Sequence, residues 1–246
     1  LRGASQDTDA SVCATGAQLA RTYNKRGSPM AFYTESQKSM QAQFESQPLA
    51  ASVEQAIVRD ELDDMHRAFI ESRDYFFLST VDAEGCPTVS HKGGSPGIVT
   101  VLDSSTIAFP NYDGNGMFLS MGNISDTAKI GLLFIDFQTP NRIRVQATAT
   151  ISGDDELLQR YPGANLIVRA HVDKVFLNCA RYIHKHTRVE TSPYVPASDG
   201  AQPFPAWKRI DALQDSLLPQ DKGKAELEGG VISQDEYGAK LMAGES

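Results

Sequence analysis

Two short polar stretches on either side of a β-rich stretch hold the side chains best suited to chemistry. Residues 90–97 contain Ser90, His91 and Lys92, then three glycines beginning with Gly93. Residues 111–116 run Asn111, Tyr112, Asp113, Gly114, Asn115, Gly116, and an amphipathic turn, residues 117–121, follows from Met117. Glycines let backbone N–H groups approach a ligand closely, and a helix N-terminus aims partial positive charge at it. The design suits a loop wrapped round an anionic small molecule. His91 is the best candidate for titration near neutrality; a phosphate ligand or a strand-face residue is the plainer role for it. No side chain has the look of an obligatory catalytic acid or base.

The elements that must position these residues are mostly strands. Residues 75–81 are aromatic and β-branched, and Asp82-Ala83-Glu84-Gly85 reads as a hairpin turn leading to a partner strand over 87–92. Residues 98–102 and 106–110 form a second hairpin around Asp103-Ser104-Ser105. Residues 130–137 are continuously apolar apart from Asp136, as in a buried strand. Over 142–151 alternation is strict, with Ile143, Val145, Ala147, Ala149 and Ile151 on one face and Arg142, Arg144 and Gln146 on the other. Between 166 and 177 the apolar residues switch from even to odd positions, which predicts a bulge near Asp173-Lys174. Residues 154–161 predict a short helix stopped by Pro162. Six to seven antiparallel strands with flanking helices predict a mainly β fold, a small barrel.

Ahead of the strands, Thr34-x-x-Gln37 and Ser52-x-x-Gln55 are capping-box patterns. Val58, Leu62, Met65 and Phe69 fall on one helical stripe, with a break at the acidic residues 60–64 as the alternative. Gly122 is expected to stop the turn that begins at Met117. The organisation expected is an N-terminal extension over 1–29, a helical cap over 30–73, the barrel over 74–186 and a C-terminal arm and tail over 187–246. The arm is proline-rich and holds the only tryptophan, Trp207, which must bury its ring on the barrel, on a partner subunit or against a ligand. Residues 220–246 read as a loosely held tail.

Composition excludes several classes. The chain has 246 residues, 41% hydrophobic and 22% charged, with a formal net charge of −8. That balance is globular, and it argues against a nucleic-acid or anionic-membrane partner. No apolar run approaches transmembrane length. Cys13, Cys86 and Cys179 are odd in number and far apart, so reduced thiols in a cytoplasmic protein are expected. His184-x-His186 lacks a second ligand group at metal spacing, and no metal is expected. There is no GxGxxG and no GxxxxGK[ST]. Leu1 rather than Met comes first, which reads as a start inside a longer product or after processing. Residues 1–29 lack a signal-peptide apolar core and read as a tag remnant, a transit-like segment or a family-specific extension.

Five ordered blocks then carry a resemblance: FFLSTVDAEGCPTVSHKGG, FPNYDGNGMFLSMGN, GLLFIDF, RIRVQATA and VFLNCARYIHKH. Together, from about Tyr33 to Pro219, the chain resembles the pyridoxamine 5′-phosphate oxidase-like flavoproteins, and within them the predicted flavin-nucleotide-binding branch. The resemblance implies an FMN-binding split β-barrel that pairs as a homodimer, with FMN in a groove between the subunits. It places Ser90, His91, Lys92 and Gly93 on the phosphate side and implies a charge-assisted bond from Lys92. It lines the loop with Asn111, Tyr112, Gly114, Asn115 and Gly116, and opens a short helix at the phosphate with Met117. Arg142 falls where the pyridoxamine phosphate oxidases carry a flavin-touching glutamine; Arg144 lies beside it, and Trp207 stands in the arm.

Two departures matter. Those oxidases place Ser-Arg-Lys in the loop, where this chain has Gly114-Asn115-Gly116 preceded by Asp113, and they carry an Arg-x-His motif in the C-terminal arm, where this chain has Trp207 and Lys208-Arg209 but no Arg-x-His. The function implied is a flavin-dependent oxidoreductase acting on an unidentified small molecule, and the two departures count against vitamin B6 as that molecule. The alternatives are a non-catalytic flavin or haem binder, with His91, His171 or His184 facing the iron, and a deazaflavin-dependent reductase.

Overall fold

The computed structural model describes residues 31–245. The expected N-terminal extension and Cys13 lie outside the described residues. By its contacts the chain forms two compact units, the first ending at Ala56 and the second running from Ile57.

The first unit holds two helices, α1 (Glu35–Gln43) and α2 (Gln47–Ile57). The Thr34 capping box is formed: the Thr34 hydroxyl accepts from the Gln37 N–H, and the Gln37 side chain accepts from the Thr34 N–H at 2.8 Å. The second expected box is not a cap. Ser52 lies inside α2 and donates to the Pro48 carbonyl, the back-bond available to a mid-helix serine.

The single helical stripe from Val58 to Phe69 is also corrected. Val58–Arg59 is a two-residue strand, β1, and a separate helix, α3, spans Asp64–Glu71. Its N-cap is Asp63, which accepts from the His66 N–H at 2.8 Å, while the buried His66 ring accepts from the Asp63 N–H. The acidic residues therefore start a helix, as the alternative reading had it.

The remaining strands are β2 (Tyr75–Val81), β3 (Pro87–Gly93), β4 (Thr100–Asp103), β5 (Thr106–Tyr112), β6 (Lys129–Asp136), β7 (Asn141–Ser152) and β8 (Ala164–Asn178). They form one antiparallel sheet in the order β3-β2-β6-β7-β8-β5-β4, with β1 on β8. The split-barrel expectation holds, and the sheet is not closed. Period-two burial runs through it: Phe76 and Leu78 on β2, Ile130, Leu132 and Phe134 on β6, and Ile143, Val145, Ala147 and Ala149 on β7 point into one core. Phe76 sits at its centre, 5.0 Å from the Phe109 ring and 5.6 Å from Phe134.

The expected bulge is present. Gln146 pairs with Lys174 and Ala147 with Val172, so Asp173 is the extra residue. Its carboxylate accepts from the Thr148 hydroxyl at 2.9 Å and from Lys129 at 3.4 Å. The expected short helix is a 3₁₀ turn, Glu156–Arg160, capped by Asp155.

Helix α4 spans Leu119–Thr127, so Met117 does not open it and Gly122 does not end it. Phe118 enters the helix in the left-handed region, and Met121 and Ile124 bury one face. Apolar anchoring carries the helix through Gly122, whose propensity cost is about 1 kcal/mol. Asn123 donates to the Thr80 hydroxyl and Thr127 to the Val81 carbonyl, which fastens α4 to β2.

The C-terminal stretch is more ordered than a loose tail. Two 3₁₀ turns, Ala206–Arg209 and Asp211–Ser216, precede helices α5 (Lys224–Leu227) and α6 (Gln234–Ala243). Ile210 forms a parallel bridge with Ile232, and Asp221, Ala225 and Ile232 are buried. Among the described residues no helix is long and apolar enough to cross a membrane.

Candidate functional site

The sheet register fixes which side chains of β3 face inward. Lys92, Ser90 and Thr88 pair with Phe76, Leu78 and Thr80, all buried, and so share the core side of the edge strand. His91 pairs with Phe77 and lies on the other face, its ring 5.6 Å from Tyr75 in a stacked arrangement. Gly93 permits this, because a Cβ there would come within 2.9 Å of the His91 ring. Ser90 and Ser120 share a hydroxyl–hydroxyl bond of 3.2 Å, which ties the edge strand to the start of α4.

A cleft of about 1320 Å³ opens between β3, the loop after β5 and the C-terminal arm. Ser90, His91, Lys92, Gly93, Asn111, Tyr112, Gly114, Asn115, Gly116, Met117 and Trp207 all line it. The loop is shaped by short polar bonds. Asn111 donates to Asn165 at 2.8 Å, Asn115 accepts from the Met117 N–H at 3.1 Å, and Gly116 takes a positive φ that other residues avoid.

Arg142 and Arg144 do not line this cleft. Because Ile143 and Val145 point into the core, the two arginines emerge on the opposite face of β7, as its period demands. There Arg142 stands directly across from Asn178, and the Arg142 Nε and Asn178 Oδ1 are both buried without a hydrogen-bond partner.

Lys92 is the cation that matters inside the cleft. Burial pushes its ammonium pKa down, and among the described residues no carboxylate acts against that shift. Lys208 is in the opposite situation. It is 4% exposed, and its Nζ donates to Asp113 at 2.6 Å and to Asp221 at 2.7 Å. Burial acts to lower its pKa, but the two carboxylates overcome that and hold it above the ordinary value. Burial likewise acts to raise the Asp221 pKa, and Lys208 with Lys224 brings it below the usual carboxylate range. Lys224 stands 3.4 Å from Asp221 and over the Phe204 ring.

The sequence reading missed Lys208, Asp221 and the arm residues Phe204 and Tyr237, which also line the cleft. One signal could have found Lys208: an acidic Asp113 inside a loop expected to hold an anion needs a compensating cation. Nothing local says which lysine supplies it.

Residues 62–190, more than half of the chain, match the sequence model of the pyridoxamine 5′-phosphate oxidase family. The chain belongs to that family. No curated protein matches it. Among solved structures, a Lactobacillus delbrueckii protein provisionally assigned as a pyridoxamine 5′-phosphate oxidase is 27% identical, covers 48% of this chain and 95% of its own, and superposes with a TM-score of 0.40. HupZ of Group A Streptococcus is 19% identical, covering 51% and 99%, with a TM-score of 0.40. An FMN-binding protein of Syntrophomonas wolfei is 15% identical, covering 57% and 97%, with a TM-score of 0.37. Superpositions this loose carry no functional argument; family membership rests on the sequence match.

Proposed function

We propose that the cleft binds FMN through its phosphate and that the protein is a flavin-dependent oxidoreductase acting on a small molecule. The observation that carries this reading is Lys92: a desolvated ammonium, without a carboxylate, facing a cleft across from a glycine-bearing loop. A cation held this way in the free protein favours an arriving dianion. The loop fits the same group, since a Cβ built on Gly114 or Gly116 meets nothing within 4 Å and the backbone there faces open space.

On this reading Lys92, Ser90 and the N–H groups of residues 114–116 hold the phosphate, and Tyr112 and Trp207 flank the rest of the cofactor. FMN when bound supplies the hydride or electron chemistry, and the chain supplies position and electrostatics. Arg142 and Arg144 join the site only from a second copy or through a cofactor that reaches the outer face of β7. A homodimer that covers that face is the arrangement that would bring them to a cofactor. Light scattering of the purified protein tests this, and a monomer would count against it.

The absorption spectrum of the purified protein, and calorimetric titration of the apoprotein with FMN, test the cofactor. A haem or deazaflavin spectrum, or no FMN binding at micromolar concentration, would refute it.

A non-catalytic flavin carrier is the second reading, and one observation favours it. Lys208, Asp113, Asp221 and Lys224, four ionisable groups lining the cleft, are engaged with one another rather than turned towards a substrate. Incubation of the flavin-loaded protein with NADH, NADPH or pyridoxine phosphate separates the two: bleaching or turnover supports the oxidoreductase, and inertness towards all three supports the carrier.

A further inference from the structure

Asp113 sits in the middle of the loop that, on the flavin reading, receives a phosphate. A bare carboxylate there would oppose the anion and work against Lys92. The arm supplies the remedy from 95 residues away, because the Lys208 Nζ bonds the Asp113 carboxylate at 2.6 Å.

We propose that Lys208 is a specificity-determining residue: by neutralising Asp113 it makes the cleft prefer a phosphorylated flavin over the same ring system without phosphate. The inference rests on the flavin reading above and adds to it which residue sets the charge of the site.

Three features support it. First, the charges alternate along one chain of contacts, Asp113, Lys208, Asp221 and Lys224, and they cancel only while Lys208 is present. Without it two carboxylates face one lysine. Second, the backbone that carries Lys208 is held in place. It lies in the turn Ala206–Arg209, Arg209 donates to the carbonyls of Gly229 and Gly230, and Gln214 donates to the Lys208 carbonyl. Third, both of its carboxylate partners, like Lys208 itself, line the cleft, so the cancelled charge lies where a ligand would feel it.

A purely structural clamp makes a different prediction. Loss of such a clamp would weaken every ligand of the cleft alike. Loss of a neutralising charge weakens the anionic ligand only, and removing the opposed carboxylate restores it.

The test titrates wild type, Lys208→Met and the double variant Asp113→Asn/Lys208→Met with FMN and with riboflavin. The wild type is expected to prefer FMN. In Lys208→Met, FMN affinity falls by roughly tenfold, the effect of one uncompensated charge at about 6 Å in a partly screened site, while riboflavin affinity is unchanged. The double variant recovers FMN affinity. Equal loss of both flavins, or no recovery in the double variant, overturns the proposal.

Wild-type protein that binds neither flavin overturns the flavin reading itself. Inorganic pyrophosphate, followed by the emission of Trp207, the chain's only tryptophan, is then the probe. Weakening in Lys208→Met with recovery in the double variant upholds the charge role, and any other pattern overturns it.

Discussion

Replacing Lys92 by methionine should move ligand affinity and stability in opposite directions. In the apoprotein, burial lowers the Lys92 pKa and no carboxylate offsets it, so the charged form is disfavoured by folding. Methionine has a similar length and no charge to desolvate. The variant apoprotein should therefore be more stable by an amount on the order of 1 kcal/mol, at the low end of what replacing buried charges has given. A charge-assisted bond to phosphate is worth about 1.5–3 kcal/mol, so FMN should bind roughly 10- to 150-fold more weakly, at about 1.4 kcal/mol for each factor of ten. Calorimetric titration reads the affinity, and urea unfolding of the apoprotein reads the stability. The sign of the two changes together is diagnostic. A lysine that merely packs against β2 would lose stability on replacement and leave FMN affinity within threefold of wild type, and that result would refute the reasoning.

Other expectations follow from the same geometry. The Asp221 pKa is depressed in the folded protein, so its contribution is present above the unfolded value of about 3.9 and is lost as pH falls through the folded pKa. The Lys208 pKa is raised, so its contribution is present below about 10.4 and is lost as pH rises through the folded pKa. Trp207 emission should thus be flat between about pH 5 and 9 and shift outside that window; a transition near pH 7 would contradict the ion-pair account. Phe76→Ala removes a fully buried ring packed against Phe109 and Phe134 and should cost about 3–5 kcal/mol in urea unfolding. Asp63→Ala removes the carboxylate that accepts from the His66 N–H in the α3 capping box, leaves the backbone bond to the His66 ring, and should cost about 1 kcal/mol, measured the same way; no change would mean that the cap is redundant.

Where a pattern is local, the sequence was enough. Strict alternation over 142–151 identified β7 and its inward face, and the phase switch after Val172 located the bulge at Asp173. Thr34 and Gln37 announced the start of α1. These features act within one strand or one helical turn, so they are written in neighbouring residues. The sheet side of the cleft was legible for the same reason, since β3 and the loop at 111–117 are two contiguous stretches, whereas the side built by the arm was not.

Local pattern failed where competing contacts decided the outcome. The stripe from Val58 to Phe69 had helical spacing, yet Val58 and Arg59 pair with Phe176 and Val175 on β8. Met117 looked like a helix start, but burial of Met121 and Ile124 carries α4 onward to Thr127. Arg142 and Arg144 were assigned to the cofactor by resemblance, and the fold turns them to the face away from the cleft.

By itself, then, the sequence determined the strands from β2 to β8 in outline, the inward face of β7 and the two glycine-bearing stretches, because each depends on periodicity over a few residues. Only the tertiary structure decided that Lys208 would meet Asp113 and that Lys92 would be left, among the described residues, without a carboxylate. Charge compensation depends on distance in space, and residues 95 apart become neighbours only once the arm has folded onto the sheet.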